Sequence, residues 1–420
     1  MEIEKESKVD PSMETPLYFR CPISMEVMKE PVTISTGVTY EKKNIEKWLY
    51  SYKKKTCPAT MQALENFNLT PNHTLKRLIL TWQAKESKSV VVASPLSTSV
   101  KHDELVALLA TIGSTPFMVT SLKKLRMIVE MDDEIKIDFV QSGGIEVLSR
   151  IIVQGLIDFS DFIAFRSCEE ALGILYQVPL ASEASIELLS QPECMRSMAI
   201  MLQRGSAEAR LHTITIFRNM AKTEYNWSGV VHDQGMDLFS SLLELVSDEI
   251  NNKASSCALD VLIEILRASK KNRLKAIESG AMCILIELLP DSNKSKCERM
   301  LMIIKLLCEC AEGRLALVDH SLGIVAISKK ILRVSELTTR LGIKILWSIS
   351  SFHPTEKVLE EMLMFGSVRK LLGLLHIDGR SSTKDKAMKI IKLHGDTWRK
   401  YPCFPNELKD YLGLKQDHSN

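Results

Sequence analysis

Long apolar helices separated by short polar segments follow one another along most of the chain after residue 102. Within each helix, apolar residues recur at steps of three and four, which predicts that one face is buried. Each period is expected to contain a short helix, a glycine or small residue, a Leu- and Ile-rich helix and then a second long apolar helix. The long helices are predicted over residues 168–178, 209–221, 254–267, 297–311, 339–351 and 384–394.

A glycine or small residue recurs between the short helix and the Leu- and Ile-rich helix that follows it. The steps from Gly235 to Gly280, Gly323 and Gly366 are 45, 43 and 43 residues, a period typical of helical repeat arrays. We expect glycine there because the chain bends sharply and a Cβ would crowd the turn. Two such helices cannot cover each other's apolar faces, so the pattern predicts a stacked, cooperative solenoid.

The pattern is different before residue 89. Two β-prone runs, residues 31–34 and 38–40, flank the turn residues 35–37 and predict a β-hairpin. Residues 41–53 then carry apolar side chains at helical spacing. A second helix is predicted to open at residues 70–72, where proline and a capping side chain favour a first turn. This part is therefore predicted to be a small mixed domain.

Two short loops in this domain carry the sequences Cys21-Pro22-Ile23-Ser24 and Cys57-Pro58-Ala59-Thr60. A cross-braced zinc module needs eight Cys or His ligands, whereas the first 85 residues offer only Cys21, Cys57 and His73. Both cysteines are therefore predicted to be small buried residues, and no metal is expected. The whole pattern resembles the U-box, the metal-free relative of the RING finger.

The resemblance implies recruitment of a ubiquitin-loaded conjugating enzyme, with no nucleophile supplied by this chain. An apolar residue such as Ile23, on a short loop flanked by polar residues, is expected to contact a partner. The positions implied to contact the conjugating enzyme are Ile23, Met25, Trp48, Pro58, Ala59 and Met61. Those implied to hold the U-box together are Cys21, Pro22, Tyr40, Cys57 and Asn72.

Two positions depart from the usual U-box pattern. Glu41 replaces an aspartate at a helix start, where glutamate is a poorer cap, by about 0.5–1 kcal/mol. Met61 stands near a usually basic residue that contacts both ubiquitin and the conjugating enzyme, and methionine cannot donate such hydrogen bonds. The alternative hypothesis is therefore a non-catalytic scaffold or adaptor with a weakened U-box.

Composition and net charge narrow the remaining classes of function and cellular location. The 420 residues are 45% hydrophobic with a net charge of +2, which gives no concentrated basic stripe for nucleic acid. Ten scattered cysteines favour a reducing compartment, and we expect a cytoplasmic protein that also reaches the nucleus. The polar N-terminus does not resemble a signal peptide, and no segment is apolar enough to span a membrane. Phosphate-binding glycine motifs are missing, so no cofactor is expected.

The complete chain resembles the plant U-box proteins with armadillo repeats. We expect an α-helical armadillo-type solenoid preceded by a small α+β U-box domain, which is a metal-free RING-like module. The predicted boundaries are the U-box at 14–88, a Ser-rich linker at 89–102, the repeats at 103–400 and a tail at 401–420. The resemblance implies a protein substrate in the groove of the repeats.

The groove positions argue against nuclear import. Armadillo importins carry a Trp one turn before a groove Asn, and here no aromatic residue occupies the earlier position. Glu264 and Glu309 at two groove positions instead predict a partly acidic groove. The five groove positions are Gln177, Asn219, Glu264, Glu309 and Ser348, preceded by Gly173, Thr215, Asp260, Lys305 and Lys344.

Overall fold

The computed structural model describes residues 16–86, 98–113, 118–154, 162–180, 182–222, 227, 238–248, 251–377, 382–402 and 404. These residues fall into two compact units. The first contains residues 1–216 and 248–254, and the second contains residues 217–247 and 255–420. Residues 87–97, which include most of the predicted linker, lie outside the described part, as does the repeat glycine Gly235.

The N-terminal domain contains a small antiparallel sheet and two helices. The strands are β1 (Pro31–Thr33), β2 (Thr39–Glu41) and β3 (Thr70–Pro71), in the order β2-β1-β3. The first helix begins as α1 (Lys42–Glu46) and continues as a π-helical turn (Lys47–Ser51), and α2 (His73–Glu86) follows β3. The predicted hairpin is confirmed. The predicted second helix begins later than expected, because Thr70 and Pro71 pair with β1.

The remaining described elements are helices. They are α3 (Thr98–Thr111), α4 (Met118–Met131), α5 (Asp133–Gln141), α6 (Gly144–Gln154), α7 (Phe162–Gln177), α8 (Glu183–Leu189), α9 (Pro192–Arg204), α10 (Ala207–Ala221), α11 (Leu238–Ser247), α12 (Asn252–Ala268), α13 (Lys270–Glu278), α14 (Ala281–Leu288), α15 (Lys294–Leu307), α16 (Ala311–Asp319), α17 (Gly323–Lys330), α18 (Glu336–Phe352), α19 (Glu356–Met364), α20 (Ser367–His376) and α21 (Ser382–Arg399).

Each predicted long helix corresponds to an observed one. These are α7, α10, α12, α15, α18 and α21, which we call the long repeat helices. In the first unit α4 packs against α7, and in the second α15 packs against α18 and α18 against α21. Buried apolar side chains line these contacts, as the three-and-four spacing predicts.

Two predicted boundaries differ from the structure. Helix α3 begins at Thr98, inside the segment predicted as the linker. At the other end, Phe404 lies in the predicted tail but is only 5% exposed, and its amide donates to the Tyr401 carbonyl. Helical structure therefore begins before the predicted start of the repeats, and buried structure continues past their predicted end.

The recurring glycines serve two different purposes. Gly280 and Gly366 have left-handed φ angles of 81° and 77°, and a Cβ on either would meet no neighbour within 4 Å. They are needed for backbone conformation and not for space, which corrects the prediction of crowding there. Gly323 matches that prediction, because a Cβ would lie 2.0 Å from the Leu317 carbonyl oxygen.

Candidate functional site

The two Cys-Pro loops have the same turn. In the first loop the Met25 amide donates to the Cys21 carbonyl (2.7 Å), and in the second Met61 donates to Cys57 (2.8 Å). Each cysteine amide also donates to a residue five positions later, Glu26 or Gln62, at 2.8 Å. The duplicated spacing Cys-Pro-x-Ser/Thr-Met, at residues 21–25 and 57–61, is the sequence signal that would have revealed this repetition.

The methionine that closes each turn has a left-handed backbone, with φ of 59° at Met25 and 57° at Met61. Non-glycine residues adopt this region rarely because Cβ approaches the carbonyl oxygen. The two side chains differ in their surroundings. Met25 is 9% exposed, whereas Met61 is 54% exposed. The same turn therefore gives a buried side chain in one loop and a surface side chain in the other.

Both cysteines are fully buried, as predicted, and their sulfurs form hydrogen bonds. The Cys21 Sγ accepts from the Glu41 amide at 3.2 Å. The Cys57 Sγ lies 2.9 Å from the Tyr40 hydroxyl, which also accepts from the Ala59 amide at 3.0 Å. Tyr40, on β2, thus holds the second loop by two hydrogen bonds from inside the core.

The pKa values of Tyr40 and Cys57 are shifted in opposite directions. Burial raises the pKa of the Tyr40 hydroxyl strongly, and the neighbouring Cys57 thiol raises it further. Burial also acts to raise the pKa of Cys57, but the nearby hydroxyl groups of Thr36, Thr60 and Tyr40 outweigh it and leave that pKa below its usual value. Tyr40 therefore stays neutral beside the sulfur.

The first helix is attached to both loops. At its start the Asn44 side-chain amide donates to the Ser24 hydroxyl at 2.9 Å and to the Cys21 sulfur at 3.5 Å. In the π-helical turn, the Trp48 indole N–H donates to the Thr56 carbonyl at 2.7 Å. These contacts fix the two loops relative to one helix, although sequence analysis did not single out Asn44.

Glu41 has a different role from the cap considered at the sequence level. It lies at the N-cap of α1 but forms no side-chain capping bond. Its carboxylate instead accepts from the backbone amides of Lys29 (2.7 Å) and Glu30 (3.0 Å). The glutamate therefore fixes the segment between the first loop and β1, which a sequence pattern could not indicate.

Asn72 and Pro22 complete the residues assigned to the U-box framework. The Asn72 side-chain oxygen accepts from the Leu75 amide at 2.9 Å, which caps α2. Its amide nitrogen lies 3.4 Å from the Thr33 hydroxyl and 3.3 Å from that of Thr39, so the cap is joined to the hairpin. Pro22 is half-buried beside Cys21.

The residues implied to contact the conjugating enzyme differ widely in exposure. Met61 is exposed and Trp48 and Ala59 are half-buried, whereas Pro58 is buried. Ile23 is only 3% exposed and belongs to the core of the domain. Ile23 is therefore covered by its own domain, and its contact with a conjugating enzyme stays a prediction.

One group of potential metal ligands lies in the second unit. The ligand atoms of Cys283, Glu287 and His320 are within 4.8 Å of one another. The His320 Nδ1 accepts a hydrogen bond from the Leu322 amide at 3.2 Å. A neutral ring then carries its proton on Nε2, the nitrogen that lies 3.9 Å from Glu287, so the ring does not offer this group a lone pair.

The two carboxylates expected to make the groove acidic are both paired. Glu264 binds Arg267 at 2.7 Å. Glu309 binds Lys305 and lies 3.6 Å from Arg273. The prediction of a partly acidic groove from these residues therefore fails, because neighbouring cations neutralise them.

Comparison with known proteins agrees with this architecture. A family model for the U-box domain matches residues 15–88, and one for the plant U-box protein ARM repeat region matches residues 103–412. The chain belongs to the plant U-box ubiquitin ligases with armadillo repeats. In this family the metal-free module is followed by the repeats, as it is here.

Two curated relatives come from Arabidopsis thaliana. The E3 ubiquitin-protein ligase PUB22 is 32% identical over 96% of this chain and 99% of its own length. PUB23, another E3 ubiquitin-protein ligase, is 32% identical over 95% and 97%. Among solved structures, an engineered protein matches 69% of this chain and 67% of its own with a TM-score of 0.53 and 16% identity. Within the described residues, no helix is long and apolar enough to cross a membrane.

Proposed function

We propose that the U-box domain binds a ubiquitin-loaded conjugating enzyme through its two Cys-Pro loops and the helix between them. The accessible part of the docking surface consists of Trp48, Ala59 and Met61, and the buried Ile23, Met25 and Pro58 lie beneath it in the same two loops. The observation that carries the proposal is the attachment of both loops to one helix, through Asn44 at one end and Trp48 at the other. A surface held in this way is preorganised for a partner.

In the proposed reaction, ubiquitin passes directly from the conjugating enzyme to the substrate, and this chain supplies no nucleophile. The ubiquitin thioester is carried by the cysteine of the conjugating enzyme. A neutral lysine amine of the substrate attacks its carbonyl carbon, an amide bond forms and the C–S bond breaks, and the departing thiolate is balanced by the proton that the amine loses, which gives the free thiol of the conjugating enzyme. The ligase contributes proximity and orientation of the conjugate. Buried Cys21 and Cys57 are unsuited to be nucleophiles because no carbonyl carbon can reach them.

We also propose that the armadillo repeats hold the protein substrate. In the second unit α15, α18 and α21 pack side by side, a surface type that repeat proteins use for binding. Substrate and conjugate would then be bound by separate parts of the same chain. We further propose a cytoplasmic protein that also reaches the nucleus, supported by nine free cysteines among the described residues. A fluorescent fusion imaged in plant cells tests this location.

Met61 is the best position at which to test the docking surface. It is the exposed residue among the six proposed contacts, so its replacement leaves the core of the domain intact. Met61→Asp places a charge on an apolar contact and should slow discharge of ubiquitin from the conjugating enzyme to free lysine by about tenfold or more. Met61→Arg should speed discharge, because an arginine supplies the missing hydrogen-bond donors. Discharge is followed in single-turnover gels.

The matched control is Phe67→Asp, which removes an exposed apolar side chain (41% exposed) elsewhere in the same domain. It should leave discharge unchanged. Equal rates for Met61→Asp, Phe67→Asp and the unmodified protein would refute this docking surface. Absence of discharge by the unmodified protein with every conjugating enzyme tried would favour the alternative, a scaffold whose U-box binds without activating.

A further inference from the structure

The long repeat helices of the second unit are held in register by side chain to backbone hydrogen bonds. The Ser348 hydroxyl on α18 donates to the Cys308 carbonyl at the end of α15 (3.1 Å). On the other side, the His394 Nε2 on α21 lies 2.9 Å from the Ser350 carbonyl. The order of the three helices is therefore α15, α18, α21, with defined neighbours across each seam.

This register brings cations of all three helices together. Lys305 precedes Cys308 by three residues and Lys344 precedes Ser348 by four. Each lysine therefore lies one helical turn before the hydrogen bond that joins Ser348 to Cys308. Arg340 lies one further turn back on α18. On α21, the Lys386 Nζ lies over the Trp347 ring, 6.0 Å from its centroid. We call Lys305, Arg340, Lys344 and Lys386, with Trp347, the basic ladder.

The ladder has an excess of positive charge. Lys305 is paired with Glu309. Arg340, Lys344 and Lys386 form no ion pair with a carboxylate of the described residues. Burial lowers the pKa of Lys344, and the nearby charges of Arg340, Lys305 and Lys386 lower it further. Like charges held close together repel one another and raise the free energy of the unbound protein. Binding of an anion reduces this repulsion.

The size of the ladder fits a peptide. Packed helices lie 8–10 Å apart, so three of them span about 20 Å, the length of about six residues in an extended chain. Trp347 is half-buried among these charges, and the Lys386 ammonium lies over its ring. We infer that the basic ladder binds an extended acidic segment of a protein. Its carboxylates would pair with Arg340, Lys344 and Lys386, and one apolar side chain would pack on Trp347.

An acidic protein segment fits better than a nucleic acid. Glu309 lies one helical turn from Lys305 and pairs with it, so a continuous chain of phosphates would meet a neutralised cation at that point of the ladder. A peptide can place a neutral residue at that point. That the bound segment belongs to the substrate rests on the proposed function, whereas binding itself does not.

The test uses the full-length protein and fluorescence anisotropy of two labelled octapeptides, one with four Asp residues and one with Asn in their place. The Asp peptide should bind at least about tenfold more tightly, and higher salt should weaken it, because exposed charges are screened. Lys344→Glu and Arg340→Glu should each weaken binding by about tenfold or more. Lys329→Glu, an exposed lysine at the end of α17, changes the net charge equally and should alter binding by less than about twofold.

Each other outcome rejects the inference. Equal binding of the Asp and Asn peptides excludes charge recognition, and equal effects of Lys344→Glu and Lys329→Glu show only a diffuse field. A short DNA duplex that binds more tightly than the Asp peptide and loses affinity with Lys344→Glu would assign the ladder to nucleic acid. Circular dichroism verifies that each variant is folded. The assay contains no conjugating enzyme, so a failed discharge assay would leave its result unaffected.

Discussion

At the scale of single residues, the U-box is held by sulfur and hydroxyl groups where a RING finger would use metal. Cys21 accepts from a backbone amide, and Cys57 is bonded to Tyr40 in the core. These are neutral contacts between buried groups, each of modest net energy, but leaving any of them unpaired carries the full desolvation penalty. The loops therefore depend on a few buried hydroxyl and thiol groups.

The first residue prediction concerns Tyr40. Tyr40→Phe keeps the ring but leaves the Ala59 amide and the Cys57 thiol without their partner, which should destabilise the second loop by about 1–3 kcal/mol. Amide hydrogen exchange of residues 57–63 should become faster, and discharge of ubiquitin should slow. Tyr18→Phe is the control, because Tyr18 is 69% exposed. Unchanged exchange in Tyr40→Phe would show that the hydroxyl does not hold the loop.

Residue type was enough to predict some of these positions and not others. The shortage of zinc ligands, with cysteine's preference for buried positions, correctly predicted that Cys21 and Cys57 are buried. The place of Ile23 in a short polar-flanked loop did not indicate that it is buried, because exposure depends on the packing around a loop and not on its polar neighbours in sequence. Glu41 likewise found backbone donors eleven and twelve residues away, which no local rule identifies.

At the scale of elements, the repeat period predicted the long helices because each must bury one face at helical spacing. The spacing did not reveal what each glycine does. Gly280 is fixed by a left-handed backbone and Gly323 by contact with the preceding helix, and both appear in sequence as a glycine before an apolar helix. The turn into each helix depends on the three-dimensional approach of its neighbours, which sequence periodicity does not contain.

The two kinds of glycine predict different costs. Gly280→Ala should destabilise the second unit by about 1 kcal/mol, the strain of a left-handed alanine. Gly323→Ala should cost more, about 3 kcal/mol, because its Cβ would meet the backbone oxygen of Leu317 and the helices must move apart. Urea denaturation followed by circular dichroism compares the two midpoints. Equal midpoints for the two variants would mean that α16 and α17 adjust to the new Cβ, so that Gly323→Ala costs no more than Gly280→Ala.

At the scale of the whole molecule, the net charge of +2 conceals how charge is distributed. Glu264 and Glu309 are neutralised by neighbouring cations, whereas Arg340, Lys344 and Lys386 have no described carboxylate partner. Composition excluded a strongly basic nucleic-acid protein but could not locate this local excess. Its position depends on the register between α15, α18 and α21, which only the folded chain defines.

The last prediction concerns the cooperativity of the repeats. Helix α15 packs against α18, and its Ile303, Ile304 and Leu307 have no exposed surface. A chain ending after Glu312 lacks α18 and should expose an apolar face, because each repeat is covered by its neighbour. We expect it to bind an apolar dye strongly and to elute as aggregates in size-exclusion chromatography, with the full-length chain prepared in parallel as the control. A truncated chain that stays monodisperse and binds no more dye than the full-length protein would contradict this, since its remaining repeats would then be stable without the helices that follow.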